Sequence, residues 1–538
     1  MNRLKRKQAW IKALASILAV LALATPFRSE VSAAAQLPFD DISDSYAKDA
    51  IVRLYQANLI DGTGAGRFEP RKAVTRAELA TMLDRLFGLE SVAAAVPAFT
   101  DVPEKAWSYG WVSTAVQMGI VTGISASTFG PDRQVSRQDA AAMLARAAKQ
   151  ALSASSEATG YKDADQIASY ALAAVAQMKE LGIMKGDGTT FRPAAPVTRQ
   201  EAAVMMDNVL QREAWTSQIR AATEMKIQIG WQYGQTTAQF EKQVLSSNVN
   251  TLSPRWFFLE SSGMTLSGYD ASLLTWAHQH GKPVWAMVGN HSDREMTHGM
   301  LSDSAKRTAA VAYLANEVKN NGLDGLNVDF ENVDPQDRSG FTQFIADLAS
   351  GLDSVHAVLS VNLSPDTYSD WTDAYDYAAL GKSADYIVMM GYDQHWNGGS
   401  AGSVSSLPWL ESGLNTLITR VPASKVILAL PLYTRDWTVG SAGTTAQDWS
   451  LVYQNETLKA HSPLMVWNAD LGQYTASYSD QGNTHELWVE DGRSLAAKAS
   501  LGERLGLAGY AYWYMGGEST DVWGSLRNAM KFSSYRFK

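Results

Sequence analysis

Asn327, Asp329 and Glu331 alternate with Leu326, Val328 and Phe330, directly after Asp324-Gly325. In an extended chain successive side chains point to opposite faces, so the two acids and the amide share one face and the apolar residues share the other. Two carboxyl groups about 6–7 Å apart at the end of a strand suit acid–base work on a bound sugar. A lone buried aspartate is often only a hydrogen-bonded structural group. Three polar residues in step on one face of an apolar strand argue instead for a site.

Such a strand needs a scaffold. After residue 220 the composition changes: 13 of the 17 tryptophans follow it, and extended apolar runs alternate with helical stretches, the pattern of a parallel α/β unit. Strands are predicted near 226–232, 250–259, 283–288, 325–331, 358–363, 386–392, 426–432 and 508–514. Eight of them over 220–535 predict an α/β fold, a (β/α)8 barrel, with residues 436–494 as a small α+β insertion. Active sites of such barrels lie at the C-terminal ends of the strands. Glu331 ends the fourth, with Asp329 and Asn327 deeper. Met390, Tyr392 and Asp393 end the sixth, Tyr433 and Arg435 the seventh, and Trp513 belongs to the eighth. Tyr433 and Arg435 also fit a barrel-mouth hydrogen bond and salt bridge. Trp396, Trp437 and Trp488 fit loop packing as well as sugar platforms. His278–His280 reads as a solvated helix end, the eight histidines lack metal-ligand spacing, and no metal or cofactor is implied.

Residues 39–210 hold a threefold repeat with a period of about 61. Phe39-Asp40-Asp41 recurs as Phe99-Thr100-Asp101 and Tyr161-Lys162-Asp163. Phe68-Glu69-Pro70 recurs as Phe129-Gly130-Pro131 and Phe191-Arg192-Pro193. Thr75-Arg76-Ala77-Glu78 recurs as Ser136-Arg137-Gln138-Asp139 and Thr198-Arg199-Gln200-Glu201. Ser or Thr followed three residues later by Glu or Asp starts a helix like a capping box. Each repeat therefore reads as helix, glycine turn, Phe-x-Pro segment and second helix. Small-residue linkers occupy 92–98 and 153–160, and 211–225 reads as a polar helical connector.

These two halves resemble known families. Repeats 36–94, 95–155 and 156–211 resemble S-layer homology modules, mainly α-helical, which implies binding of an anionic, often pyruvylated, secondary cell-wall polysaccharide. The resemblance carries the motif arginine of each groove to Arg76, Arg137 and Arg199, with a planar guanidinium suited to a carboxylate; pairing with the helix-start acids is the alternative role. The last 310 residues resemble glycoside hydrolase family 18. The strand-four motif is matched by Asp324, Asn327, Asp329 and Glu331, strand six by Met390, Tyr392 and Asp393, strand seven by Tyr433 and Arg435, and strand eight by Trp513. The resemblance implies a retaining mechanism in which the substrate's 2-acetamido group is the nucleophile, Glu331 the general acid and base, Asp329 and Tyr392 the holders of the acetamido group, and Trp513 the floor beneath the sugar. Asn327 stands where the family has aspartate. Losing that ionisable group implies that Asp329 ionises more readily.

Composition agrees with an exported enzyme. Arg3, Lys5, Arg6, Lys7 and Lys12 precede an apolar run of 13–24, and Val31-Ser32-Ala33 is a small-residue cleavage site. An uncleaved anchor is the alternative reading. Removing 1–33 takes the formal charge from -9 to about -14, and no basic stripe suits nucleic acid. No cysteine is present, which excludes disulfides and thiolate metal sites. The sequence thus reads as a glycosidase held on a Gram-positive wall through its repeats, with no membrane contact after signal cleavage, acting on an N-acetylglucosamine polysaccharide, peptidoglycan first and chitin second. A non-catalytic glycan-binding barrel and a structural surface-array protein are the rivals; retention of Glu331 speaks against the first, and the acid-lined strand against the second.

Overall fold

A computed structural model describes residues 37–150, 159–366, 369–440 and 443–538. The expected export signal and most of the 153–160 linker lie outside these residues. Two compact units form: residues 224–490 with 497–519, and residues 37–223 with 491–496 and 520–538.

In the first unit, β1 (Ile227–Gln232), β2 (Thr251–Glu260), β4 (Trp285–Gly289), β5 (Gly325–Asp329), β6 (Val358–Leu363), β7 (Tyr386–Met390), β8 (Val426–Pro431) and β14 (Gly509–Trp513) pair in parallel. Pairing of β1 with both β14 and β2 closes the ring into an eight-stranded barrel. Its interior is filled by Ile229, Trp231, Trp285, Met287, Val358, Tyr386, Val388, Ile427, Ala429 and Ala511, so the barrel is a packed core with chemistry confined to its rim. Helices return the chain between strands. Ser304–Asn321, for example, starts where Asp303 accepts from the amides of Ala305 and Lys306, and stops at Gly322, whose φ of 68° is left-handed.

Three features depart from the sequence-based reading. The hydrogen-bonded part of β5 stops at Asp329, so Glu331 stands two residues beyond the strand. A short strand, β3 (Gly263–Leu266), pairs antiparallel with the end of β2. The insertion begins earlier than residue 436. It is a five-stranded antiparallel sheet of β9 (Tyr433–Gly440), β10 (Gly443–Ser450), β11 (Val466–Asn468), β12 (Gln473–Asp480) and β13 (Asn483–Val489), with the helix Leu451–His461. Tyr433 and Arg435 therefore belong to the insertion and not to the end of the seventh barrel strand.

In the second unit each repeat is a helix pair: Lys48–Gln56 with Arg76–Leu86, Tyr109–Gln117 with Arg137–Ala147, and Ser169–Glu180 with Arg199–Leu210. The threefold relation is closed by a ring of backbone hydrogen bonds in which Val74 donates to Val197, Val197 to Val135 and Val135 to Val74. The recurring aspartates have one job. Asp41, Asp101 and Asp163 each accept two amides of their own Phe-x-Pro segment at 2.7–2.9 Å. The C-terminal helix Val522–Ser534 belongs to this unit: Arg527 pairs with Glu90, Asn528 bonds the Glu90 backbone, and the Tyr535 hydroxyl donates to the Phe87 carbonyl.

Candidate active site

The lateral register of the barrel decides which side chains meet at its rim. Met287 of β4 is level with Asn327 of β5, which is level with Ser360 of β6. Asn327 is fully buried and uses both ends of its amide: Oδ1 accepts from Trp231 Nε1 at 2.8 Å, and Nδ2 donates to Ser360 Oγ at 2.9 Å and Asn362 Oδ1 at 2.7 Å. Its amide is thus spent within the barrel, which makes Asn327 a positioning residue and not a contact for substrate. The residue it positions is Asn362, whose Nδ2 donates to Asp329 Oδ1 at 3.0 Å.

Glu331 is held from the other side. Asn290, just past β4, exchanges hydrogen bonds with the Glu331 backbone, and Ser292 Oγ donates to Glu331 Oε2 at 3.1 Å. Burial pushes the Asp329 carboxyl up to about 7, with the Glu331 charge adding to it and the Asn362 amide opposing it. Burial also raises Glu331, against the Ser292 hydrogen bond. The two share their protons as a pair. With Asn at 327, the charged neighbour that acts on Asp329 is Glu331. A pair that retains a proton near neutral pH can supply an acid to a leaving group.

Around the pair, Tyr392 is raised well above an ordinary phenol by burial and the Asp329 charge. It meets Tyr433 edge to face at 6.1 Å. Asp393 accepts from the Tyr433 hydroxyl at 2.5 Å and from Arg435 at 2.7 Å, while Arg435 also reaches Asp448 of β10 at 2.6 Å and the His395 carbonyl. Arg435 is thus an ion-paired link between insertion and barrel. Trp513 meets Trp231 at 5.9 Å and Tyr233 at 5.3 Å. Glu331, Met390, Tyr392, Asp393, Arg435, Trp371, Trp396 and Trp409 line one cleft of about 640 Å³, and Asp393, Tyr433, Arg435 and Trp513 line a neighbouring one of about 120 Å³. Trp396 is exposed on the cleft, whereas Trp437 is buried and donates to the Gly402 carbonyl, which makes it a packing residue. Asp324 lies at the other end of β5, accepting the Val284 amide at 2.8 Å and pairing with His278, so that histidine is not simply solvated.

Sequence reasoning missed Asn290, Ser292, Asn362, Trp371 and Trp409. A signal for Asn362 exists: Ser360 and Asn362 alternate with Leu359, Val361 and Leu363 as the acids of β5 do with their neighbours. Among the described residues, no group of three or more His, Asp or Glu is arranged to hold a metal ion.

In the repeats, the motif arginines lie deeper than expected. Arg76, Arg137 and Arg199 are buried, stack on Phe129, Phe191 and Phe68, and donate through Nε to the carbonyls of those same phenylalanines. Each staples its repeat to the next around the ring. Acid pairing is secondary, at 3.2 Å for Arg137–Glu201 and 3.8 Å for Arg199–Glu78. Arg76 still floors a groove of about 630 Å³ shared with Arg133, Arg146 and Tyr170, and Arg137 one of about 370 Å³ shared with Lys185 and Arg192. Arg133, Lys185 and Arg192 are the exposed cations there.

Comparison with known proteins assigns both parts. Residues 258–518 match the model of glycosyl hydrolases family 18, and residues 38–80, 98–141 and 160–203 match that of the S-layer homology domain. An uncharacterized glycosylase of Bacillus subtilis, YvbX, is 27% identical over 315 residues, 56% of this chain and 91% of that protein. The cortical fragment-lytic enzyme of the same organism is 27% identical over 231 residues, 42% of this chain and about half (54%) of that protein. A chitinase structure from Chromobacterium violaceum shares the fold, with a TM-score of 0.53, 23% identity and coverage of 58% of this chain and 100% of that one. The barrel is a glycoside hydrolase domain and the repeats are S-layer homology domains.

Proposed function

We propose that the protein is a cell-wall-anchored glycosidase that cuts β-1,4 bonds of N-acetylglucosamine-containing glycan with retention of configuration. The observation that carries this is the Asp329–Glu331 pair, held beside Tyr392 at the barrel rim with its carboxyl groups raised by burial. In the proposed sequence Glu331 donates its proton to the glycosidic oxygen as that bond to the anomeric carbon breaks. The substrate's acetamido oxygen attacks the same carbon and forms an oxazolinium ring. Asp329 accepts the acetamido N–H, and the Tyr392 hydroxyl donates to the acetamido oxygen. Glu331, now a carboxylate, takes a proton from water as the water oxygen opens the ring. Two inversions give net retention. The scheme departs from the usual two-carboxylate chemistry only in that the nucleophile belongs to the substrate. Trp513 floors the reacting sugar, and Trp371 and Trp396 offer stacking faces further along the cleft.

Peptidoglycan is the substrate favoured here. The relative named for lysis of cortical fragments supports it, as does the presence of three S-layer homology domains, which would keep the barrel at the wall. The test uses the whole protein with peptidoglycan and with chitin separately, products being identified by mass spectrometry. Glu331→Gln should lower turnover by about 10²–10⁴ while the fold persists. Turnover of that variant at the wild-type rate would remove Glu331 from the mechanism.

A further inference from the structure

One cation at the barrel rim makes no hydrogen bond through its Nε and no ion pair among the described residues. Arg255 lies on β2, level with Met287 of β4 and hence with Asn327 of β5, and two residues after Ser253, which pairs with the inward-facing Trp231. Its guanidinium is slotted between the rings of Tyr233, at 5.1 Å, and Phe258, at 5.2 Å. The Nε is buried and has no hydrogen-bond partner, and no ion pair to Arg255 forms among the described residues. The neighbouring acid Glu260 is engaged with His291 at 3.0 Å.

The slot leads to the reacting centre along two routes. Tyr233 packs against Trp513 at 5.3 Å with the rings tilted by 42°. Phe258 stacks on His291 at 4.4 Å, and the next residue, Ser292, holds Glu331. Consistently, while burial raises both carboxyl groups, the charge of Arg255 lowers both. A half-buried guanidinium with no anion in direct contact forgoes hydration for two aromatic faces, an arrangement that is costly unless a ligand completes it. Its plane is already fixed by two aromatic faces, so it is preorganised for a planar, two-pronged acceptor.

We infer that Arg255 is a specificity residue that receives a carboxylate carried by the glycan beside the bond to be cut. This rests on the reading of the barrel as a glycosidase of N-acetylglucosamine-containing glycan. It names the substrate class as strands with a free 3-O-lactyl acid, the form peptidoglycan takes once its peptides are removed. A carboxylate and a guanidinium match in charge and in fork geometry. Chitin carries no such group, so the same contact discriminates between the two polymers.

The experiment compares peptide-free glycan strands with the same strands after conversion of the lactyl acid to its methyl amide. The wild-type protein should show a kcat/KM ratio of about ten or more in favour of the acid, and in Arg255→Gln the ratio should collapse towards one. Arg255→Lys, which keeps the charge without the fork, should retain part of it. A wild-type ratio of one overturns the inference. So does a ratio unchanged in Arg255→Gln, since an arginine that only tunes Asp329 and Glu331 would slow both substrates alike. Where Arg255→Gln does not fold, Arg255→Lys carries the test: a ratio in that variant equal to wild type overturns the inference. Binding of both strands, acid and amide, to the Glu331→Gln protein, by calorimetry, separates the two levels. If the wild-type protein cuts neither strand and not chitin either, the glycosidase reading fails, while equal affinity for the acid and the amide overturns the role of Arg255.

Discussion

Asn362 donates to Asp329 at 3.0 Å, the only hydrogen bond on that carboxyl group formed within the described residues. Burial, first, and the Glu331 charge push the proton onto Asp329, while the charge of Arg255 joins Asn362 in opposing them. Asn327, two residues earlier on the strand, does not touch the substrate's side of the pair. It acts through Asn362, which it holds at 2.7 Å.

Asn362→Ala should therefore move the acid limb of the kcat/KM profile to higher pH, because the contact that favours ionised Asp329 is lost. It also leaves the Asn327 amide short of a buried partner, which costs about 1–3 kcal/mol in an unfolding titration. A variant that loses stability with an unmoved limb would show that Asn362 is merely structural.

The raised carboxyl has a consequence for stability with a definite sign. Folded Asp329 holds its proton up to about 7, whereas an unfolded aspartate releases it near 3.8. Between those values the folded state binds more protons, so stability falls as pH rises through the window, by roughly 1.4 kcal/mol per pH unit for a fully separated proton. Asp329→Asn should flatten that fall relative to wild type. Urea unfolding followed by tryptophan fluorescence at pH 4.5, 6 and 7.5 reads the difference, because 13 of the 17 tryptophans follow residue 220. Identical slopes for the two proteins would mean that Asp329 is already ionised in the fold.

The barrel is legible in the sequence where apolar runs are bounded by turn residues, and β6 at Val358–Leu363 falls where the pattern puts it. The errors have physical causes. Phe330 is buried as a sixth strand residue would be, so the alternation runs past the last backbone pairing and Glu331 reads as part of the strand. One residue, Leu432, separates β8 from β9, and with no turn signal Tyr433 and Arg435 read as the end of a barrel strand. The motif arginines read as groove residues because a sequence shows charge but not the carbonyls waiting across the next repeat. Arg255 was invisible for the opposite reason: lack of an ion pair is a property of the fold alone.

That burial of the motif arginines separates two effects in the repeats. Arg199→Ala strips the donors from the Phe68 and Asp61 carbonyls, both at 2.7 Å, at roughly 1–3 kcal/mol for each carbonyl left bare. Arg133→Ala changes only an exposed side chain and should stay within about 0.5 kcal/mol of wild type. If Arg133 meets an acidic wall polymer in its groove, this second variant should still sediment less with isolated cell walls. Equal sedimentation of Arg133→Ala and wild type would move wall binding to other residues.

The strictest test concerns the substrate's own nucleophile. In the proposed mechanism Asp329 and Tyr392 serve only to hold an acetamido group, and no protein carboxylate other than Glu331 takes part in bond breaking. Chitosan of the same ring and linkage but without acetyl groups offers no carbonyl oxygen to attack the anomeric carbon. Its cleavage should be undetectable beside that of acetylated oligomers of equal length, although both can stack on Trp513. The pH profile supplies a second reading of the same chemistry. Activity requires one proton on the Asp329–Glu331 pair, placed on Glu331, so the rate should fall both when the pair gains a second proton and when it loses its last. Comparable rates on acetylated and deacetylated oligomers would exclude substrate assistance and require a nucleophile from the protein. Asp393 would then be the first to replace, since its charge is among those acting on Glu331, and Asp393→Asn would show whether it had taken that role.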